Sequence, residues 1–254
     1  SFPTRRSSDL IEILKELDKT TEVEATISEF LYLPEIRRQE VAKLLDEKCY
    51  EKAICMLNEG IVIAERGGNL GTLREWQEQL LFIYEEVHDV AKVIEMCQLL
   101  FIHTNGSLDY YHKLKSLISS TDWKEYLSTL MQETTFYDYW GSGNNKADIY
   151  IEEKEYDKLF SFLSAVKYRR LDALVQYASH LNATHSSQIL SLFTDDLRVY
   201  AEKNLGRSHY EYIARVLRGM RKLNGGKDVV KQLVEEFRVL YKRRPAMMQE
   251  LGEF

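Results

Sequence analysis

Apolar residues recur along this chain at helical spacing. Ile54, Leu57, Ile61 and Ala64 fall at i, i+3, i+7 and i+10, and Tyr210, Ile213, Leu217 and Met220 repeat the interval. Val230, Leu233, Val234, Phe237, Leu240 and Tyr241 do so more densely. Each set makes an apolar stripe along one side of a helix. Alternation with period two is not sustained anywhere, so the pattern predicts helices and no strands. Only Pro3, Pro34 and Pro245 could break a helix.

A longer period overlies the helical one. Tyr50, Val90, Trp123 and Tyr156 are spaced by 40, 33 and 33 residues. Nine positions before them stand Val41, Leu81, Leu114 and Ala147, and six before stand Leu44, Tyr84, Leu117 and Tyr150. Four positions after them stand Ile54, Ile94, Leu127 and Phe160, and seven after stand Leu57, Cys97, Leu130 and Leu163. Every one of these positions is apolar or aromatic. The pattern predicts a helix before each anchor, a short polar turn such as residues 46–48 or 119–121, and a second helix packed back on the first. One such pair cannot cover its own apolar face, so neighbouring pairs must stack.

In spacing, and in Tyr-Glu-Lys-Ala-Ile at 50–54, the array resembles tetratricopeptide repeats. The small residue at Ala53 becomes Val93, Tyr126 and Leu159, so the resemblance is to a degenerate array. It implies an all-α fold, an α-solenoid of antiparallel helix pairs in a right-handed superhelix, closed by a C-terminal helical bundle. Gly67–Gly71 and Asn105–Ser107 read as helix breaks, with Ser107 as an N-cap. Residues 141–145, Gly-Ser-Gly-Asn-Asn, read as a linker between a front array (11–140) and a back half (146–254). The back half is expected to hold helices near 156–166, 169–180, 185–204, 208–223, 227–242 and 245–252. Asn224-Gly225-Gly226 would end one of these helices, and Pro245 would open the last.

The 254-residue composition is 44% hydrophobic and 29% charged, that of a chain able to bury a core. Residues 1–10, SFPTRRSSDL, resemble a translated sequencing-library adapter and are set aside. No apolar leader and no run of about 18 apolar residues is visible. Cys49, Cys55 and Cys97 are too few and too scattered for a disulfide framework, so they read as reduced core thiols of a cytoplasmic protein. Charge is uneven. Residues 198–254 hold 13 Lys/Arg against 7 Asp/Glu, a net of +6, although the whole chain is −6. An acidic bulk would repel phosphate, while the basic tail leaves local nucleic-acid contact open.

The tail carries a second resemblance. Residues 206–226 and 241–251, ending Tyr-Lys-Arg-Arg-Pro-Ala-Met-Met-Gln-Glu-Leu, resemble the C-terminal helical region of bacterial SWIM zinc-finger proteins. That family holds zinc in a Cys-x-Cys … Cys-x-His cluster nearer the N-terminus, and these 254 residues contain no such cluster. The resemblance therefore implies a fragment without the metal module, its zinc held upstream.

Chemistry-bearing patterns are few. His180 and His185 straddle a helix break, and the other histidines are scattered, which is poor geometry for a metal within this fragment. Gly67, Gly68 and Gly71 lack the Lys-Ser/Thr ending of a phosphate loop. Neighbouring carboxylates such as Glu152-Glu153 point about 100° apart on a helix and read as solvated faces. Phe136-Tyr137-Asp138-Tyr139-Trp140 could stack a base or grip a peptide, though packing beneath the linker is the simpler role. Arg215, Arg218 and Lys222 lie at i, i+3 and i+7, off the apolar stripe of their helix, and are the candidate contacts for an anion or a partner. An ordinary solvated face near a helix C-terminus is the competing reading. The sequence thus predicts no catalytic, cofactor or metal residues. It predicts a non-enzymatic scaffold for a protein or peptide partner with no membrane role. The alternative is a nucleic-acid-associated module touching DNA through its basic C-terminal helices.

Overall fold

The structure, a computed structural model, describes residues 10, 12–14, 16–17, 19–136 and 144–254. Residues 137–143, which include most of the aromatic cluster and of the linker, lie outside the described residues. The described residues are all-helical, with no strand among them. They divide into two compact units, residues 1–135 and 136–254.

The first unit contains α1 (Thr20–Phe30), α2 (Pro34–Asp46), α3 (Tyr50–Arg66), α4 (Leu70–Glu86), α5 (Val90–His103), α6 (Leu108–Leu117) and α7 (Trp123–Glu133). From α2 to α6 each helix packs on the next in the chain, and α7 packs on α5. All four repeat anchors are the first residue of a helix. The positions nine before and seven after each anchor are buried in every copy. The positions six before and four after are mostly half-buried, at the edges of the same faces. On α3 the buried line runs Ala53, Leu57, Gly60, Ala64, one step round from the line expected through Ile54 and Ile61, which flank it. The position of the small residue Ala53 is also buried as Val93 and Leu159, so the core there accepts different sizes.

One turn recurs and explains why the helices stop where they do. After α2, the N–H of Cys49 donates to the Leu44 carbonyl and that of Lys48 to Leu45. After α3, Asn69 donates to Ala64 and Gly68 to Glu65. After α4, Asp89 donates to Tyr84 and His88 to Glu85. These paired bonds close the helix end on a residue in the left-handed region. That residue is Lys48 (φ 55°), Gly68 (φ 65°) or His88 (φ 59°), and the second unit repeats the turn at Lys154 (φ 57°). Only one of the four is glycine, although a side chain there costs roughly 1 kcal/mol. Lys48→Gly and Lys154→Gly should each raise stability by about 0.5 kcal/mol, the relief of strain less the added freedom of the unfolded chain. His88→Gly should gain least, because the His88 ring nitrogen already bonds the Glu85 carbonyl at 2.9 Å. Urea denaturation of the three variants checks that order. The turn before Trp123 is built differently, from Ser119 Oγ donating to Asp122 Oδ2 at 2.8 Å. Ser107 holds the N-cap position of α6 without a side-chain cap bond.

The second unit contains α8 (Asn145–Glu152), α9 (Tyr156–Ala165), α10 (Arg170–Tyr177) with a 3-10 turn (Ala178–Leu181), α11 (Ser186–Lys203), α12 (Arg207–Met220), α13 (Gly226–Leu240) and α14 (Pro245–Glu250) with a closing 3-10 turn. Asn144 caps α8, its side-chain oxygen accepting from the Lys146 and Ala147 amides. α12 is the hub and packs on α10, α11, α13 and α14. Its stripe of Tyr210, Ile213, Leu217 and Met220 is buried as expected. The α13 stripe is covered from Val230 to Phe237 and then leaves the core, with Leu240 61% exposed. Arg238 donates to the Leu251 carbonyl at 2.7 Å and Arg244 to the Ala201 carbonyl at 2.6 Å, which ties the tail down.

The cysteines correct an expectation. All three are free, but only Cys97 is a core thiol, its pKa pushed up to about 11 by burial. Cys55 is exposed and Cys49 half-buried at a helix start. No helix among the described residues is long and apolar enough to cross a membrane.

Candidate functional site

A wide concavity lies in the second unit. It is an open groove of about 1030 Å³, walled by the segment joining α9 to α10, the last turns of α11, and Tyr212 and Arg215 of α12. The joining segment reads Lys167-Tyr168-Arg169-Arg170. It is held in an unusual shape, because Arg169 is left-handed (φ 55°, ψ 34°) where α10 begins. Tyr168 consequently stands out from the surface, 76% exposed.

Two ion pairs brace the walls. Arg170 grips Asp196 through two bonds of 2.7 and 2.5 Å and donates a third to the Ser164 carbonyl. Such a fork fixes α10 to α11 with more geometric definition than a single contact. Asp172 accepts from Arg169 Nε at 2.6 Å and from the Tyr212 hydroxyl at 2.8 Å, linking α10 to α12. Burial, and then the bond to the Asp172 carboxylate, push the Tyr212 phenol well above its usual range, so it stays a donor. Tyr200 packs on Tyr212 with ring centres 4.9 Å apart, and its hydroxyl pairs with His209 at 2.8 Å. Arg215 lies over the other side of this cluster, 5.0 Å from the Tyr212 ring centre. Both aspartates are thus occupied. Lys167, Lys203 and Arg215 remain without a carboxylate within ion-pair distance among the described residues.

Arg215 and Arg218 are exposed on α12 and Lys222 is exposed in the turn just beyond it, and the three share a second, smaller groove of about 470 Å³. Its far wall is α10 and the turn after it, with Val175, Ala178, Ser179 and Asn182. Arg215 lines both grooves. Arg218 pairs with Glu253 at 3.0 Å, where both side chains are about half exposed, so the pair is weak and exchangeable. The spacing rule therefore found one wall. It missed Lys167, Tyr168, Lys203 and Tyr212, of which only the Lys-Tyr-Arg-Arg run at a helix break left a readable mark.

Histidines serve packing here. His185 stacks on Phe160 at 4.7 Å, and His103 bonds Gln77 at 3.0 Å. Among the described residues no three His, Cys, Asp or Glu side chains converge on a point that could hold a metal ion. No family model, curated protein or solved structure matches the chain.

Proposed function

We propose that this chain is a non-enzymatic protein-interaction scaffold, a degenerate tetratricopeptide-like array of helix pairs that holds a partner segment in the groove of its second unit. The observation that carries the reading is the groove itself. It lies at the upper end of small-molecule cleft sizes and is open to solvent, with exposed Tyr168 and uncommitted cations along its rim. Tyrosine and arginine are the residues that anchor protein interfaces most often. The tail resemblance extends the proposal: the chain would be the C-terminal helical part of a cytoplasmic, bacterial SWIM zinc-finger protein, with zinc bound upstream. The complete reading frame ahead of residue 11 tests that part directly.

Affinity capture from the source cells with the wild-type chain, beside Tyr168→Ala/Lys203→Glu, tests the groove. A reproducible set of proteins should be retained by the wild type and lost from the variant. Equal recovery on both, or no reproducible protein, sinks the proposal. The second reading, a nucleic-acid-associated module, draws on the exposed row Arg215, Arg218 and Lys222 in a tail of net charge +6. A gel shift over a salt series separates the two readings, since phosphate contact must weaken steeply as salt rises.

A further inference from the structure

The two grooves of the second unit meet at Arg215, and together they form one track along α12. Cations follow it throughout: Lys167 and Lys203 at one end, Arg215 at the junction, Arg218 and Lys222 beyond. The carboxylates lining it, Asp172 and Asp196, already hold Arg169 and Arg170, and Arg218 shares a half-exposed, exchangeable pair with Glu253. The floor changes along the way. Under Arg218 and Lys222 it is apolar, made by Leu174, Val175, Ala178 and Phe193. Gly219 keeps that stretch open, for a Cβ there would meet nothing within 4 Å.

We infer that this track binds an acidic amphipathic segment of a partner protein, a helix with one carboxylate stripe and one apolar stripe. The inference rests on the scaffold reading and gives its partner a chemistry. Arg215 and Arg218 lie about one turn apart on α12 and Lys222 follows in the turn beyond, so carboxylates three or four residues apart on a second helix fall opposite them. Apolar side chains beside that stripe would enter the floor between α10 and α12. Nucleic acid fits the same surface less well. Tyr200 and Tyr212 spend their faces on each other and on Arg215, which leaves few rings free to stack a base. Asp172 and Asp196, paired with Arg169 and Arg170, favour neither occupant in the wider groove. The apolar floor of the narrower one has nothing to offer a phosphate chain.

Fluorescence anisotropy with the full chain tests the inference. The probes are a labelled helical peptide with glutamate and leucine stripes, a scrambled peptide of the same composition, and a single-stranded oligonucleotide of matching length. The striped peptide should bind, and should bind better than the other two. Arg215→Glu/Lys222→Glu should weaken it by at least about tenfold, because two attractive contacts become repulsive. Gly219→Leu keeps every charge and improves helix propensity, so it should fold, yet by filling the floor it should also weaken the peptide severalfold. A Gly219→Leu chain that melts cooperatively and binds unchanged overturns the inference. Equal binding of the scrambled peptide, or tighter binding of the oligonucleotide, overturns it too. If cellular partners persist on Arg215→Glu/Lys222→Glu, the scaffold reading survives and the acidic segment falls.

Discussion

Gly226→Ala should unfold the second unit at temperatures where the wild-type chain is intact, at a cost of at least about 3 kcal/mol. α12 ends and α13 begins within five residues. The chain turns there through Gly225 in the left-handed region (φ 77°), and the Gly226 amide donates to the Leu223 carbonyl at 2.9 Å. A methyl group on Gly226 would lie inside the van der Waals sphere of the Met220 carbonyl oxygen. That oxygen is backbone, so no rotamer change relieves the clash, and α12 and α13 must separate. The turn cannot yield elsewhere without further loss. Asn182 clamps it from outside, its side-chain oxygen accepting from the Asn224 amide at 2.7 Å. Met220, Leu223 and Val230 are all buried around this corner. Gly219→Ala, seven residues earlier in open space, is the matched control and should be neutral or stabilising by up to about 1 kcal/mol. Thermal melts of the two variants followed by circular dichroism check the contrast. Similar melting temperatures would mean the corner is looser than its geometry.

Arg37→Ala should cost the first unit about 3 kcal/mol, from lost packing together with stranded carbonyls. Arg37 is 3% exposed. Its guanidinium donates to the Leu31 carbonyl at 3.0 Å and to the Met56 carbonyl, which joins the end of α1 to the middle of α3. Burial lowers its pKa, with Glu59 opposing, but a guanidinium stays charged at any ordinary pH. Glu59 sits 3.7 Å away and is 61% exposed, so the ion pair adds little. The carbonyl bonds and the stem carry the effect. Gly60 shows how close the packing is, for a Cβ there would lie 2.7 Å from Arg37 Cδ and 3.0 Å from the Trp76 indole nitrogen. Arg37→Met keeps most of the stem and loses the donors, so it should cost roughly half as much as Arg37→Ala. Urea unfolding of both, with m-values compared, is the measurement. A loss below about 1 kcal/mol for Arg37→Ala would show that water satisfies Leu31.

The sequence carries the helices well and the site only in part, for identifiable reasons. Helix starts at Tyr50, Val90, Trp123 and Tyr156 are legible because burial nine residues before and seven after each follows from helix period and turn length alone. The back-half helices agree with their expected limits to within a few residues, since Asn224-Gly225-Gly226 and Pro245 act locally. Left-handed lysines at 48 and 154 are not legible, because lysine has no preference for that conformation and the turn imposes it. Nor is Arg37, which sits beside Arg38 in the sequence. Only the packing of α1 and α3 decides that one is buried while the other pairs with Glu75 on the surface. The grooves are harder still. Asp172 and Tyr212 bond across 40 residues, and no local pattern announces that α10 will form the far wall of a row of cations on α12 and the turn after it.

The three- and four-residue turns between successive helices from α2 to α6 bear on how the protein is made. A pair closed by neighbours in sequence needs only a small loop entropy to form, and contacts of short separation favour fast folding. From α2 to α6 each helix meets its packing neighbour as soon as that neighbour leaves the ribosome, so the front unit can assemble during synthesis. The binding track has no such head start. Its walls are separated in the chain by all of α11, and α12 is held in place by α13 and α14, which follow it in the chain. On the proposed reading, a polypeptide still on the ribosome would fold its front unit before it could recognise a partner, and a product truncated before α12 would lack the track.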